Sequence, residues 1–169
     1  MTDYDPRPLL LLDVDGVVND LPSVMGIQRP WPEERHPIGG IELAVPLHIP
    51  PLVEYLDLLC EIHWCTTWRE MANQILPDLI GIGPYPVVGA DDPADTWGWK
   101  SRCAAPIAEA ALAAGRDVYW LEDFEEVLPE GMPEGVRYLD TAADGFYVLL
   151  PHHLPPELLP EGLRHLSEA

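Results

Sequence analysis

Apolar positions in this chain fall into short dense runs and longer helical stripes that alternate from end to end. Leu9 to Leu12 is an unbroken apolar run closed by Asp13-Val14-Asp15-Gly16, the pattern of a strand buried on both faces. Ile62 to Thr66, Pro86 to Gly89, Asp117 to Leu121 and Phe146 to Leu150 read as four further strands. Between them, Leu52, Val53, Leu56, Leu59 and Cys60 recur at helical spacing behind Pro50-Pro51, which predicts a helix opened by the two prolines. Arg69 to Leu76 predicts a second helix, ended or kinked by Pro77. Lys100 to Ala114 predicts a third, alanine-rich and closed by Gly115, with Pro106 marking a kink or a later start. The tail from Pro155 to Ala169 predicts a closing helix.

Strands alternating with helices predict an α/β fold, a parallel sheet of about five strands covered on both faces. Asn19 to Pro37 is Pro-rich and irregular, and Gly39-Gly40 before Ile41-Glu42-Leu43-Ala44-Val45 predicts a hairpin. Residues 19–48 therefore read as a small flap within a single domain spanning 1–169.

Nine basic residues against 29 acidic ones leave a net charge of −20. A field of that sign repels polyanions and anionic membranes, so nucleic acid is an expected partner only where another protein supplies a basic surface. The acid excess also serves plain solubility. Cys60, Cys65 and Cys103 are odd in number and lack metal-ligand spacing, which predicts free thiols in a reducing compartment. Leu9 to Leu12 is too short for a leader and follows acids, and nothing approaches a membrane span, so a cytoplasmic location is expected.

Chemistry concentrates at the predicted strand ends, the edge at which open α/β sheets bind ligands. Asp13 and Asp15 repel each other there unless a cation lies between them or they share a proton. A solvated turn is the plain alternative, and an EF-hand is excluded because the glycine comes too early and a strand precedes it. Gly16 lets the backbone turn sharply and approach an anion. Thr66-Thr67-Trp68-Arg69 ends the second strand, where a hydroxyl serves either a phosphate oxygen or a helix cap. Glu122-Asp123-Phe124-Glu125-Glu126 ends the fourth, as half of a hard-cation site or as a solvated acidic loop. Lys100, in Trp97-Gly98-Trp99-Lys100, is the only lysine in the chain. Retaining one compact ammonium amid arginines suggests a place that a guanidinium fork would not serve.

Taken in order, Asp13-Val14-Asp15-Gly16-Val17-Val18-Asn19, Cys65-Thr66-Thr67-Trp68-Arg69, Lys100 and Trp120-Leu121-Glu122-Asp123 resemble the four motifs of the haloacid dehalogenase (HAD) superfamily of phosphohydrolases. They are most similar to the small HAD domain associated with RNA-repair proteins. The resemblance implies a HAD-like Rossmannoid three-layer fold without a large cap domain, and a Mg²⁺-dependent phosphatase. It implies Asp13 as nucleophile, Asp15 as general acid and base, and Thr66 and Lys100 as partners of the phosphoryl group. Backbone N–H groups after Asp13 would cradle the phosphoryl oxygens, with substrate contacts from Gly16, Thr67 and Arg69. Mg²⁺ would be held by Asp13, the Asp15 backbone carbonyl and the acidic pair, Asp123 before Glu122. Relatives usually carry two aspartates at that pair, so Glu122 leaves open which acid meets the metal.

A missing cap suits a large phosphorylated substrate, and a polynucleotide-end phosphatase or a non-catalytic phospho-ligand module are the alternatives. Arg29 and Arg35 are further candidate phosphate contacts, and Trp31, Trp68 and Trp97 are read as core unless they wall a small-substrate pocket. His152-His153 is read as structural, since neighbours on regular structure rarely point together.

Overall fold

The computed structural model of the protein describes residues 5–92, 98–125, 127 and 129–168. In chain order its elements are β1 (Leu9–Leu12), α1 (Leu21–Val24), β2 (Glu33–Ile38), β3 (Ile41–Pro46), α2 (Ile49–Leu59) and β4 (Glu61–Trp64). These are followed by α3 (Glu70–Ile80), α4 (Trp99–Ala113), β5 (Val118–Glu122) and β6 (Val136–Asp140). A parallel four-stranded sheet has the order β4-β1-β5-β6, and β2 pairs with β3 as a separate antiparallel hairpin.

The four leucines of β1 are at most 1% exposed because β1 has a strand on each side and a helical layer on each face. Alternation sorts its residues between the layers. Leu10 and Leu12 join Tyr119 and Leu121 against Val53 and Leu56 of α2 and Ala72 and Leu76 of α3. Leu9 and Leu11 join Val118 and Trp120 against Ala104, Ala108 and Ala111 of α4. The predicted α/β class and two-sided covering are therefore present, with four strands in the parallel sheet among the described residues instead of about five.

Pro86 to Gly89 is no strand. Only Val87 bridges to Trp64, through Trp64 N–H to Pro86 O and Val88 N–H to Trp64 O, both 2.8 Å. Pro84 and Pro86 remove the ladder donors that a longer strand needs. Phe146 to Leu150 also stays out of the sheet. Tyr147 takes φ +51, which breaks extended geometry, while Val148 and Leu149 still enter the core. The edge position belongs to β6, whose Arg137 and Tyr138 are exposed, as an edge strand permits.

Helix α3 runs through Pro77 to Ile80, since Ile75, Leu76, Leu79 and Ile80 continue its apolar face, and Gly81 (φ +73) closes it. Helix α4 opens at Trp99, with no delay from Pro106. The predicted closing helix is instead a series of 3-10 turns at Pro151–His153, Pro156–Leu158 and Glu161–Glu168. Pro155, Pro156 and Pro160 lack the N–H groups that a continuous helix requires.

The flap is more ordered than its prolines suggest, and Asp20 organises it. That carboxylate is fully buried and caps α1 through Ser23 N–H at 3.2 Å. It also accepts from Arg29 Nε and Trp31 Nε1, both at 2.9 Å. Arg29 lies 4.5 Å over the Trp31 ring and donates to Phe146 O at 2.6 Å. Asp20→Ala leaves a largely buried guanidinium without its counter-ion, so a loss of about 3–5 kcal/mol in urea unfolding is expected. A loss below about 1 kcal/mol would mean that the flap is held by its apolar contacts instead.

Candidate active site

Each strand carries a different group to the C-terminal edge of the sheet. The β1–β5 ladder continues past Leu12 with Asp13 N–H to Leu121 O at 3.1 Å, and the β1–β4 ladder with Cys65 N–H to Leu12 O at 2.8 Å. Asp13, Glu122 and Asp123 thereby converge, each with a carboxylate oxygen within 4.8 Å of the others. Lys100, in the first turn of α4, reaches this cluster from the opposite layer. Its Nζ lies 3.0 Å from Asp13 Oδ2 and 2.7 Å from Glu122 Oε2. All three of these side chains are buried.

Asp123 rests on Gly16. A Cβ at Gly16 would lie 2.4 Å from Asp123 Oδ2, and Gly16 sits at φ +77, so both space and backbone demand glycine. The Gly16 carbonyl accepts from the buried Thr141 hydroxyl at 2.5 Å. Thr141 was not singled out by the sequence, although it directly follows the last residue of β6.

The predicted N–H cradle is narrower than expected. Val17, Val18 and Asn19 all donate to Val14 O, Gly16 donates to Asn19 O, and Val14 donates to Asp13 Oδ1 at 2.7 Å. Among the described residues, Asp15 is the one non-proline position from 14 to 19 whose N–H has no internal acceptor. Gly16 accordingly serves Asp123 through its missing side chain, and its N–H is spent within the turn.

The Asp15 carboxylate stays out of the three-acid cluster. Asn19 Nδ2 donates to Oδ1 at 2.8 Å and Trp68 Nε1 to Oδ2 at 2.9 Å. Thr66 is fully buried at the end of β4, and its Oγ accepts from Trp68 N–H at 3.2 Å. It thus shapes the turn into α3 while its O–H can still donate. Thr67 is exposed in that turn. Arg69, at φ +49, lies 4.6 Å over the Trp99 ring and donates to Asp92 O, an arrangement that directs it toward the start of α4. Arg35 is engaged by Glu33, Glu42 and Ser23, within the flap. Trp97 and Glu126 lie outside the described residues.

No family model, curated protein or solved structure matches the chain.

Three clustered carboxylates face one ammonium, and their proton affinities diverge accordingly. Burial raises that of Asp13, but Lys100 and hydrogen bonds from Glu122, Lys100 and Val14 N–H together hold it below the usual carboxylate range. Glu122 is pushed well above the range by burial and by the Asp13 charge. Asp123 is raised from 3.8 to about 6, by burial first and then by the Asp13 and Asp15 charges, against the opposing effects of a Glu122 hydrogen bond and Lys100. Lys100 would lose affinity through burial, yet Asp13 and Glu122 more than restore it. Asp13 is thus the anion of the set, and the buried Glu122 Oε1 receives no N–H or hydroxyl donor when the carboxyl is ionised. An orphaned carboxylate oxygen beside two others fits a hard divalent cation.

A pH dependence follows. The folded chain holds the Asp123 proton more tightly than the unfolded chain, so its contribution is full below pH 3.8 and lost as pH rises through about 6. In EDTA, Tm is expected to be higher at about pH 5 than at about pH 7, with the difference reduced by Mg²⁺. A metal-free Tm that is flat or rises over that interval would contradict the packing of these acids.

A second cluster, Asp144 with His152 and His153, is a different device. The 3-10 turn brings the two rings within 4.2 Å, so these neighbours do point together, with both Nε2 atoms on Asp144 Oδ2. Leu150 N–H donates to His153 Nδ1 at 2.9 Å, and burial lowers the proton affinity of that ring. The one ring proton therefore sits on Nε2 and donates to Asp144, leaving no lone pair there for a metal. This cluster clamps the tail onto residues 141–150, the structural role expected for the histidine pair.

A cavity of about 630 Å³ opens away from the acid cluster, at the opposite strand ends beside Glu61, His63 and Arg116. A cavity of about 430 Å³ between α1 and residues 145–147 has Glu125 in its wall, two residues beyond Asp123. No helix among the described residues is long and apolar enough to cross a membrane.

Proposed function

We propose that this chain is a Mg²⁺-dependent phosphomonoester hydrolase of HAD type, working through an aspartyl-phosphate on Asp13. The observation that carries this reading is the placement of the only lysine. Lys100 reaches from α4 to join Asp13 after β1 and Glu122 at the end of β5 in one buried contact. A solvated turn needs no such ammonium. A hydrolase whose nucleophile is itself an anion does, because attack on a phosphate dianion is opposed by charge.

The residues divide the work as follows. Asp13, held as an anion, attacks phosphorus, and the bond from phosphorus to the ester oxygen breaks. Asp15 supplies the proton that the leaving oxygen takes up. Water then attacks phosphorus and gives its proton to Asp15, and the bond to Asp13 breaks, restoring the carboxylate. Lys100 offsets the charge on Asp13 and on the transferring oxygens. The Thr66 O–H and the Asp15 N–H are the neutral donors at the same edge. Asp13 and Asp123 would hold Mg²⁺ with the Asp15 carbonyl, and the free Oε1 of Glu122 adds a donor on the same side. Bound there, Mg²⁺ supplies charge neutralisation for phosphoryl transfer.

The hairpin is the only insertion between β1 and β4 besides two helices, too little chain for a cap domain that would enclose a small substrate, so a bulky phosphate ester is the substrate class proposed. The polynucleotide-end reading draws no support from the flap, since Arg29 and Arg35 are engaged by Asp20, Glu33 and Glu42. Nor does the non-catalytic reading explain an acid pair held apart as Asp13 and Asp15 are. Hydrolysis of p-nitrophenyl phosphate is expected with Mg²⁺ and lost with EDTA. Equal rates under both conditions would remove the metal from this scheme.

A further inference from the structure

Asp15 lies two residues from Asp13, yet its carboxylate is drawn out of the acid cluster by two N–H donors from different parts of the fold. We propose that Trp68 and Asn19 are positioning residues that fix the Asp15 carboxyl for proton transfer to the leaving group, an inference that rests on the phosphatase reading above.

The geometry is over-determined. Trp68 is 8% exposed, and its indole N–H, which can only donate, ends on Asp15 Oδ2 at 2.9 Å. Its backbone is seated by Thr66 Oγ at 3.2 Å, so a phosphoryl-facing residue and the clamp share one turn. The buried Asn19 amide is oriented by the hairpin. Ala44 N–H donates to Asn19 Oδ1 at 2.9 Å, which leaves Nδ2 to face Asp15 Oδ1 at 2.8 Å. Asp20 N–H to Ala44 O at 2.8 Å locks the same strand against the turn. Both Asp15 oxygens are thereby held, one from the α3 side and one from the flap.

A carboxyl released from this grip could rotate toward the acid cluster and would then cease to serve the leaving oxygen. The two roles are separated by leaving-group chemistry. An alkyl phosphate needs a proton as its ester bond breaks, whereas a nitrophenyl phosphate needs almost none.

The test compares Trp68→Phe with wild type on an alkyl phosphate and on p-nitrophenyl phosphate in Mg²⁺, with Asp13→Asn as the baseline. Trp68→Phe is expected to lose about tenfold to a hundredfold in kcat on the alkyl ester while keeping most of its rate on the nitrophenyl ester. Equal losses on both esters, or no loss on either, would overturn the clamp while leaving the phosphatase reading intact. Absence of any Asp13-dependent turnover in wild type would defeat the phosphatase reading and the clamp together. A second measurement covers a poorly folding variant. In wild-type protein the Trp68 indole N–H should exchange slowly with solvent, and Asp15→Ala should accelerate that exchange. Indole exchange unaffected by Asp15→Ala would also overturn the clamp.

Discussion

Asp13→Asn is expected to abolish phosphatase turnover, by at least about 10⁴-fold, while leaving the fold in place. The amide occupies the carboxylate's volume, and Lys100 keeps Glu122 as its partner at 2.7 Å. What disappears is the nucleophile, because an amide oxygen in this position forms no acyl phosphate. With the Asp13 charge gone, Glu122 ionises more readily and keeps a counter-ion on Lys100, so Tm should move by less than about 5 °C. Circular dichroism and a melting curve establish the second half, and steady-state hydrolysis the first. Turnover retained in the Asn variant would show that Asp13 is an ion-pair residue and no more.

Lys100→Ala should be less costly to activity than Asp13→Asn and costlier to stability. Its ammonium is what holds Asp13 as an anion against burial. Without it the nucleophile takes up a proton, and the charge on the transferring oxygens is no longer offset. A loss of about 10²–10³ in kcat follows by analogy with a missing oxyanion donor. Asp13 and Glu122 are then left buried without a counter-ion, at about 3–5 kcal/mol near neutral pH. Acidification should return part of this, since the protonated acids no longer need the ammonium. Lys100→Arg should not rescue. A planar fork cannot replace one nitrogen placed 3.0 Å from Asp13 Oδ2 and 2.7 Å from Glu122 Oε2. Full activity in the Arg variant would refute the argument from the single lysine.

How much of this was legible in the sequence differs by element. Strands β1 and β5 are central and buried on both faces, and they announce themselves as apolar runs. Strand β6 does not, because it lies at an edge and mixes Val136 and Leu139 with exposed Arg137 and Tyr138. Phe146 to Leu150 looks like a strand by composition, but the segment folds over the Asp13 turn through Leu149 N–H to Val17 O at 2.9 Å. Local apolarity reports burial there and not extension.

Within the site, the charged members were readable because burying charge is costly and a lone lysine among arginines is conspicuous. Trp68 and Asn19 were not. A tryptophan after two threonines reads as core, and core it is by burial, yet a buried indole N–H requires an acceptor. That requirement, applied at the end of a strand carrying a candidate phosphate contact, was the available signal. Arg69 was read from its adjacency to Thr66, and its place over the Trp99 ring and its bond to Asp92 O were not legible in the sequence. Thr141 left no signal, since only the spatial neighbourhood of β1 and β6 gives its hydroxyl a role.

The most direct test is chemical trapping of the covalent intermediate. Wild-type protein is mixed with a phosphate ester and Mg²⁺, quenched in acid, and treated with borohydride, which reduces an acyl phosphate to an alcohol. Peptide mass spectrometry should then find homoserine in place of aspartate at position 13, dependent on both ester and Mg²⁺ and absent from Asp13→Asn. Reduction at another residue, or none during demonstrable turnover, would contradict Asp13 as the nucleophile.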